Sequence, residues 1–215
     1  MIMRWQTLYE ARWIFAVLAL AAGFSFFFVS WAGWLFVGLM GFTLHFFRDP
    51  ERGIPEDPRD IVAPADGTVA DVIDGASAPA GYLPLRIGIF LSVLDVHVNR
   101  APIAGSVVST EQRNGSYLDA RHPDASALNA FRNWIFEGEA HRVAVRQITG
   151  AIARRIVPWS RPGDVLAKGH RFGMIRFGSR TELFLPPGCE ILVEPGQRVK
   201  GGSTVVARFP GEDRR

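Results

Sequence analysis

The sequence predicts a mainly β protein that carries a hydrophobic helical hairpin at its N-terminus. Residues 13–47 form one long apolar stretch that carries no formal charge unless His45 is protonated. After this stretch the pattern changes to short alternating or apolar runs separated by Gly, Pro and Asp, which is typical of β-strands and turns. In that second part no amphipathic helical pattern is longer than about ten residues, so the long helices are confined to the first part of the chain.

The apolar stretch is too long for one membrane-crossing helix. As a single helix it would extend about 52 Å, at about 1.5 Å per residue, whereas the hydrocarbon core of a bilayer is about 30 Å thick. We therefore predict two helices that turn near Ser30–Gly33 and either span the membrane or re-enter it. A single tilted span with an interfacial extension is the alternative. Three glycines would let the two helices approach closely: Gly23, Gly38 and Gly41.

The flanks of the apolar stretch predict its orientation. Arg4 and Arg12 lie before it, and Arg48 and Arg52 lie after it. Because positively charged flanks favour the cytoplasmic side, we expect both ends of the hairpin in the cytoplasm. The stretch is far longer than the apolar core of a signal peptide, and no small-residue cleavage site follows it, which excludes a cleaved secretion signal.

We expect the chain to divide into the membrane-associated hairpin (1–47), a charged linker with two prolines (48–60) and a β-rich domain (61–215). In the β-rich domain, residues 124–131 predict one short turn of helix. The other runs predict strands at 61–63, 68–73, 85–92, 105–112, 133–138, 141–148, 152–157, 172–177, 181–185, 189–193 and 203–209. Many short strands with frequent turns favour a closed or sandwiched β architecture.

Two segments of the β-rich domain refine this prediction. Residues 63–69 and 194–207 each combine a tight turn with a strand, and both resemble pieces of the barrel-sandwich hybrid of biotinyl and lipoyl domains. The resemblance concerns the scaffold alone. Lys168 and Lys200 are the only lysines, and neither has the hairpin-tip context of a prosthetic-group lysine.

Charge and cysteine content exclude several classes of function. The net charge is +3, but from Asp49 onward the chain has 21 Lys and Arg residues against 20 Asp and Glu residues, without a basic stripe. We therefore expect no nucleic-acid partner. Cys189 is the single cysteine, which excludes an internal disulfide and a cysteine-cluster metal site.

The pair Gly178–Ser179 has the composition that an internal acyl shift needs. Apolar alternating runs flank it, so we expect it at a tight bend between two strands. In an acyl shift the serine oxygen attacks the preceding carbonyl, and glycine removes the Cβ that would obstruct this geometry. Taken alone, the pair indicates little, because glycine before serine is common in ordinary turns.

A second polar cluster lies in an otherwise apolar segment. If residues 91–102 are extended, Asp95, His97 and Asn99 share one face of the strand, and Arg100 follows them. Four polar groups this close together indicate a polar site at a strand end. Asp66 occupies a Pro-Ala-Asp-Gly turn and is either a turn-former or part of the same site. A structural histidine is the alternative for His97.

These segments resemble the short-form phosphatidylserine decarboxylase proenzymes, a family of pyruvoyl-dependent enzymes. The resemblance runs in family order over residues 46–207, and the preceding hydrophobic hairpin is also similar to that of the family. It is carried by Phe-Phe-Arg-Asp-Pro at 46–50, Pro-Ala-Asp-Gly at 64–67, Asp-Val-His-Val-Asn-Arg-Ala-Pro at 95–102, Gln-Ile-Thr-Gly-Ala-Ile-Ala-Arg-Arg-Ile at 147–156 and Arg-Phe-Gly-Met-Ile-Arg-Phe-Gly-Ser at 171–179.

The resemblance implies self-cleavage followed by decarboxylation. Ser179 would attack the carbonyl of Gly178, which yields a β chain (1–178) and an α chain (179–215) that begins with a pyruvoyl group. That group would form a Schiff base with the substrate amine and accept the electrons released with carbon dioxide. The implied reaction converts phosphatidylserine into phosphatidylethanolamine and carbon dioxide. No metal is implied.

The resemblance also implies roles for the polar cluster. His97 would take the proton of Ser179 and later protonate the substrate carbon, with Asp66 orienting the imidazole. Long-form members carry a second histidine three positions after the first, where this chain has Arg100. Arg100 would either neutralise the substrate phosphate or bridge to Asp95. Together with Asn99, Arg100 and Asp95 are the candidates for substrate binding.

A phospholipid substrate implies that the membrane is a partner, with the catalytic domain on the cytoplasmic side of the cell membrane. Arg154 and Arg155 either meet lipid headgroups or form a solvated strand edge. The alternatives are a membrane-anchored, non-enzymatic adaptor with a barrel-sandwich hybrid fold, and a decarboxylase of archaetidylserine. The hydrophobic hairpin argues against a soluble amino acid as substrate. The acyl-chain preference and the oligomeric state, a homodimer included, stay open.

Overall fold

The computed structural model describes residues 4–76, 78–79, 83–152, 154–176 and 179–211. The chain divides into two compact units, Met1–Glu51 and Arg52–Arg215. The first unit is helical and the second consists mainly of β-strands.

The helical unit confirms the predicted pair of helices. α1 (Trp5–Phe28) and α2 (Ser30–Phe46) pack against each other and are separated only by Val29, whose backbone is not helical. The turn was expected near Ser30–Gly33, yet these residues belong to α2. The small size of Gly33 serves a helix contact instead, because a Cβ there would lie 2.5 Å from the Phe26 ring.

The other glycines of the hairpin do not have the predicted role. A Cβ on Gly23, Gly38 or Gly41 would meet no atom within 4 Å, so these positions do not mediate a close helix contact. α1 is long and apolar enough to cross a membrane, and most of its large apolar side chains are exposed. α2 is also apolar but shorter.

The described residues of the second unit form three antiparallel sheets and one short helix, α3 (Ala125–Leu128). The strand order is β1-β14-β12 in the first sheet, β4-β10-β8 in the second and β13-β2-β3-β11-β7-β6-β5-β9 in the large third sheet, which curls into a half-barrel. The strands are β1 (Asp60–Val62), β2 (Gly67–Ile73), β3 (Leu85–Leu91), β4 (Val98–Arg100), β5 (Gly105–Arg113), β6 (Phe131–Glu137), β7 (Arg142–Ile148), β8 (Arg155–Pro158), β9 (Val165–Leu166), β10 (Arg171–Arg176), β11 (Ser179–Leu185), β12 (Glu190–Ile191), β13 (Arg198–Val199) and β14 (Val205–Arg208).

The main core lies on the inner face of the large sheet. β11 is buried along its whole length, and Leu183 on its inner face joins this core. Phe172 of β10 brings the second sheet against the large one, because its ring packs 5.0 Å from Trp134 and 5.2 Å from Phe136. Phe184 of β11 belongs to a smaller cluster on the opposite, outer face.

One row of paired residues crosses the large sheet close to the ends of its strands. At this row or one residue past it, β3, β5 and β7 end and β2, β6 and β11 begin. We call this border of the sheet the Ser179 end, since Ser179 is the first residue of β11. The row consists of Arg198, Thr68, Phe90, Arg180, Ile148, Phe131 and Arg113.

Each predicted strand overlaps an observed one, with ends that shift by at most three residues. β4, β9 and β13 were not predicted as separate strands, because runs of two or three residues show no alternation. The short turn of helix expected within 124–131 is α3. The two segments that resemble each other pair directly, since Arg198 of β13 lies opposite Thr68 of β2.

Gly67, the first residue of β2, tests the packing of the large sheet. A Cβ at this position would lie 2.2 Å from the backbone oxygen of Phe90, and the φ of +156° disfavours an L side chain. We expect Gly67→Ala to lower the free energy of unfolding by about 2 kcal/mol, because the paired strand has to move. Gly53→Ala is the control, since a Cβ there meets nothing within 4 Å. Equal denaturant midpoints for the two variants would contradict the argument.

Candidate active site

Ser179 occupies a buried position at the start of the central strand. It pairs with Leu91 of β3, and its side chain is fully buried. Its Oγ has no hydrogen-bond partner among the described residues. A buried polar atom without a partner is costly in a protein that has only to fold, so this oxygen is a candidate for a chemical role.

The predicted cleavage bond precedes the first residue of β11. β10 ends at Arg176 in the second sheet, and β11 begins at Ser179 in the large sheet. Gly178, the other half of the predicted bond, lies outside the described residues, as does Phe177. The tight bend predicted at this bond therefore stays a prediction.

His97 lies beside the end of β10. Its side chain is fully buried, and its backbone oxygen accepts a hydrogen bond from the N–H of Ile175, near the end of β10. Its Nδ1 lies 2.9 Å from the backbone oxygen of Asp95. A carbonyl oxygen can only accept, so Nδ1 carries the proton and Nε2 keeps its lone pair when the imidazole is neutral.

Asp95 does not share a face with His97 and Asn99 in the way that strand alternation predicted. β4 begins only at Val98, so Asp95 lies in the preceding turn, where its carboxylate accepts hydrogen bonds from the backbone and hydroxyl of Ser92. Arg198 forms an ion pair with it from β13. Burial opposes the charge of Asp95, but the hydrogen bonds from Arg198 and Ser92 outweigh it and hold the pKa below its usual value.

Asn99 belongs to a chain of buried hydrogen bonds. Its amide nitrogen donates to the Pro64 backbone oxygen at 3.2 Å and to Thr181 Oγ1 at 3.3 Å. Its amide oxygen accepts from Gln147 Nε2 at 2.6 Å, and Gln147 Oε1 accepts from the Trp134 indole at 2.7 Å. Thr181 stands two residues from Ser179 on the same face of β11, so this chain holds the strand that carries the serine.

Arg100 is also buried and internally hydrogen-bonded. Its guanidinium donates to the Gly169 backbone oxygen at 3.0 Å, and its backbone N–H donates to the Pro64 oxygen at 2.9 Å. The predicted bridge from Arg100 to Asp95 is not the one observed, because Arg198 forms that ion pair. The pairing of β13 with β2, which sequence alternation could not predict, brings Arg198 to this position.

Asp66 has partners other than the predicted one. Its two carboxylate oxygens accept hydrogen bonds from Arg52 Nη2, at 2.9 and 2.8 Å. One of them, Oδ1, also accepts a hydrogen bond from the Gly201 N–H at 2.8 Å. Asp66 was expected to orient His97, but the partner of His97 Nδ1 is the backbone oxygen of Asp95. Asp66 instead ties the turn before β2 to the linker and to the loop after β13.

Sequence reasoning missed Arg52, Gln147, Thr181 and Arg198. Gln147 lies inside a segment that carried the family resemblance, which was a usable signal, whereas Arg52, Thr181 and Arg198 lie outside those segments. A further cluster lies on the outer face of β11, where Arg180 pairs with Asp71 and Glu182 beside a cleft of about 240 Å³. Because successive side chains of a strand alternate, Arg180 points away from the face that carries Ser179. Within the described part of the chain, no group of His, Cys, Asp and Glu residues comes together as a metal site.

Comparisons with known proteins identify the family to which this arrangement belongs. The family model described as phosphatidylserine decarboxylase matches residues 39–207. A phosphatidylserine decarboxylase proenzyme of Symbiobacterium thermophilum is 43% identical over 97% of this chain and 98% of its own length. One of Carboxydothermus hydrogenoformans is 45% identical over 94% of this chain and 96% of its own length. One of Gluconacetobacter diazotrophicus is 48% identical over 83% of this chain and 82% of its own length. The chain therefore belongs to the phosphatidylserine decarboxylase family.

Proposed function

We propose that the chain converts phosphatidylserine into phosphatidylethanolamine and carbon dioxide, with a pyruvoyl group made from Ser179. The observation that carries this proposal is the Ser179 Oγ, a buried oxygen without a hydrogen-bond partner among the described residues, directly after a glycine. The names of the relatives support it, since they are proenzymes and decarboxylases of phosphatidylserine. The pyruvoyl group would supply a ketone that condenses with the substrate amine and takes up the electron pair released with carbon dioxide.

The proposed self-processing uses only this chain and water. Ser179 Oγ adds to the carbonyl carbon of Gly178, and the bond from that carbon to the Ser179 nitrogen breaks, which leaves an ester. Loss of the Ser179 α-proton then breaks the bond between Oγ and Cβ and releases the chain 1–178 with a free carboxylate. The dehydroalanine left at position 179 takes up water and loses ammonia, which makes the ketone.

His97 is the proposed base for the first step. Its Nδ1 proton faces the Asp95 carbonyl oxygen, so the lone pair of the neutral imidazole is on Nε2 and can accept a proton. The same imidazole, once protonated, is the proposed donor to the substrate carbon after decarboxylation. The backbone of Asp95 thus takes over the orienting role that the sequence assigned to Asp66, and Asp66 supports the neighbouring turn through Arg52 and Gly201.

The three candidate substrate-binding residues differ in what they can offer a headgroup. Asn99 and Asp95 are buried and already committed to Gln147 and Arg198, so we propose that they position the site. Arg100 is buried to the same degree and donates to the Gly169 backbone oxygen. We therefore propose a positioning role for Arg100 too, in place of the phosphate contact that the sequence left open.

Strand pairing would hold the two chains together after cleavage. β11 of the α chain lies between β3 and β7, which both belong to the β chain. β13 pairs with β2, and β14 pairs with β1. From Arg180 onward, the pairs on both sides of β11 lie beyond the bond that is cut, so we propose a non-covalent complex of α and β chains that stays assembled.

We further propose that the helical unit attaches the protein to the cell membrane, with the β unit on the cytoplasmic side. α1 has the length and composition of a membrane-crossing helix. Its exposed apolar side chains, Trp13, Leu20 and Phe27 among them, would be costly to leave in water. Membrane attachment would keep the enzyme at the surface in which its lipid substrate lies.

Cleavage before Ser179 is the first test of the proposal. Intact-mass measurement of the purified protein is expected to show a fragment 179–215 with a blocked, carbonyl-containing start. Ser179→Ala removes the attacking oxygen, so both cleavage and decarboxylation should be lost. Ser109→Ala, at an exposed position of β5, is the matched control and should be cleaved normally. An intact chain that turns over substrate would refute the proposal. A protein that is both intact and inactive would favour the adaptor alternative.

Replacing the imidazole separates the two roles of His97. His97→Gly should remain uncleaved or cleave about 100- to 10,000-fold more slowly, the range expected for the loss of a general base. Added imidazole should fill the space and restore cleavage. After the imidazole is removed, the cleaved variant should bind substrate, as borohydride trapping would detect, but release little product. His170→Ala, at an exposed position, is the control. Normal turnover without imidazole would rule out the second role.

Removal of residues 1–47 tests the role of the helical unit. The strands all lie beyond residue 59, so the truncated protein should fold and stay in solution without detergent. Its rate on phosphatidylserine in vesicles should fall much more than its rate on a short-chain, water-soluble analogue. An equal loss on both substrates would mean that the helices build the site, whereas an unchanged rate on vesicles would mean that they have no attachment role.

A further inference from the structure

The loops at the Ser179 end of the large sheet expose apolar side chains. The loop after β3 carries Leu94, which is 61% exposed, and the loop after β7 carries Ile152, which is 68% exposed. The loop after β5 carries Tyr117, and the guanidinium of Arg154 lies 5.5 Å from its ring centre, so the loops after β5 and β7 are neighbours. We call the exposed residues of these three loops the loop face. They surround the strand end at which Ser179 is buried.

Arginines accompany these apolar side chains. Arg113 at the end of β5, and Arg154 and Arg155 at the start of β8, are exposed, and none has an ion pair within the described part of the chain. In the loop after β5, Asp119 is paired with Arg121, whereas Asp124 is exposed beside His122 and offsets one of the three arginines. Asp95 is likewise paired with Arg198. The loop face therefore combines apolar tips with a surplus of positive charge.

The other end of the sheet differs in charge. The turn after β2 carries the exposed Asp74, and the turn between β6 and β7 carries the exposed Glu139. Val165 of β9 is 80% exposed there, so exposed apolar side chains occur at both ends. The combination of apolar tips with unpaired arginines belongs to the Ser179 end.

We propose that the loop face docks onto an anionic lipid bilayer. This inference rests on the proposed function, because docking in this orientation turns the strand end that carries Ser179 and His97 toward the lipid headgroups. Apolar tips enter the boundary between headgroups and acyl chains, while arginines bind the negatively charged headgroups. Tyrosine side chains favour the interface between membrane and water, and in this orientation Tyr117 would lie there. The β unit thus has a membrane contact of its own, besides the helices.

A label placed in the loop face measures this contact without any catalysis. Ile152→Cys in the full chain is labelled with a polarity-sensitive fluorophore, and Val165→Cys is the matched exposed position at the other end of the sheet. Cys189 does not interfere at neutral pH, because it is buried and burial raises its pKa to about 11. Both proteins are reconstituted into vesicles of equimolar phosphatidylcholine and phosphatidylglycerol, with or without lipids that carry a quencher on the acyl chain.

The label at position 152 should be quenched strongly by these lipids, and the label at position 165 should not. Raising the salt from 0.1 to 1 M shortens the screening length from about 10 Å to about 3 Å, so it should reduce the quenching at position 152. Vesicles of phosphatidylcholine alone should give the same reduction. Equal quenching at both positions, or none at position 152, would overturn the proposal. A label that is shielded in detergent but never quenched by lipid would indicate a second copy of the chain and would overturn it as well.

A variant of the loop face links the contact to turnover. Ile152→Ser combined with Arg154→Gln and Arg155→Gln should lower the rate on phosphatidylserine in vesicles about tenfold, since each arginine loses its attraction to the anionic surface. The rate on a water-soluble, short-chain analogue should not change. Arg161→Gln combined with Val165→Ser is the control at the other end of the sheet. Loss on both substrates would contradict a docking role. Should the protein show no decarboxylation at all, the proposed function fails, whereas the quenching result still decides the docking proposal.

Discussion

The pairing of β11 with β3 on one side and β7 on the other is the constraint on which the candidate site depends. It places Ser179 opposite Leu91 and buries every residue of the strand. The chain reaches β11 from β10, which belongs to a different sheet, so the residues before Ser179 have to pass from one sheet to the other. The position of Ser179 is thus set by the pairing of β11 with its two neighbouring strands.

Buried hydrogen bonds rather than exposed charges define the surroundings of Ser179. The chain from Trp134 through Gln147 and Asn99 to Thr181 fixes the inner face of β11 against the rest of the core. In a low-dielectric interior such bonds are strong, and an unpaired member is costly. Among the described residues, Ser179 Oγ is the buried hydroxyl oxygen without a hydrogen-bond partner, whereas the other buried polar atoms of this kind belong to arginine and carboxylate side chains.

The ion pairs around the site connect segments that are distant in the sequence. Arg52 reaches Asp66 from the linker, and the Gly201 N–H reaches the same carboxylate from the C-terminal part of the chain. Arg198 reaches Asp95 from that part as well. In the proposed processed form, the contacts of Gly201 with Asp66 and of Arg198 with Asp95 join the α chain to the β chain. Together with the strand pairing, they explain how a chain could break its backbone directly before a central strand of its largest sheet and remain folded.

The amino-acid sequence by itself determined the class of fold, the helical pair and most strands, because alternation, turn residues and apolar length are local properties. It also pointed to His97, since an imidazole within an apolar strand-like segment is conspicuous. It did not determine the helix break at Val29 or the partners of the polar residues. Asp66 was expected beside His97 but pairs with Arg52, and Asp95 was expected beside Arg100 but pairs with Arg198. Only the tertiary structure decided these contacts, because they depend on which strands become neighbours, and strand pairing brings together side chains that no sequence spacing relates.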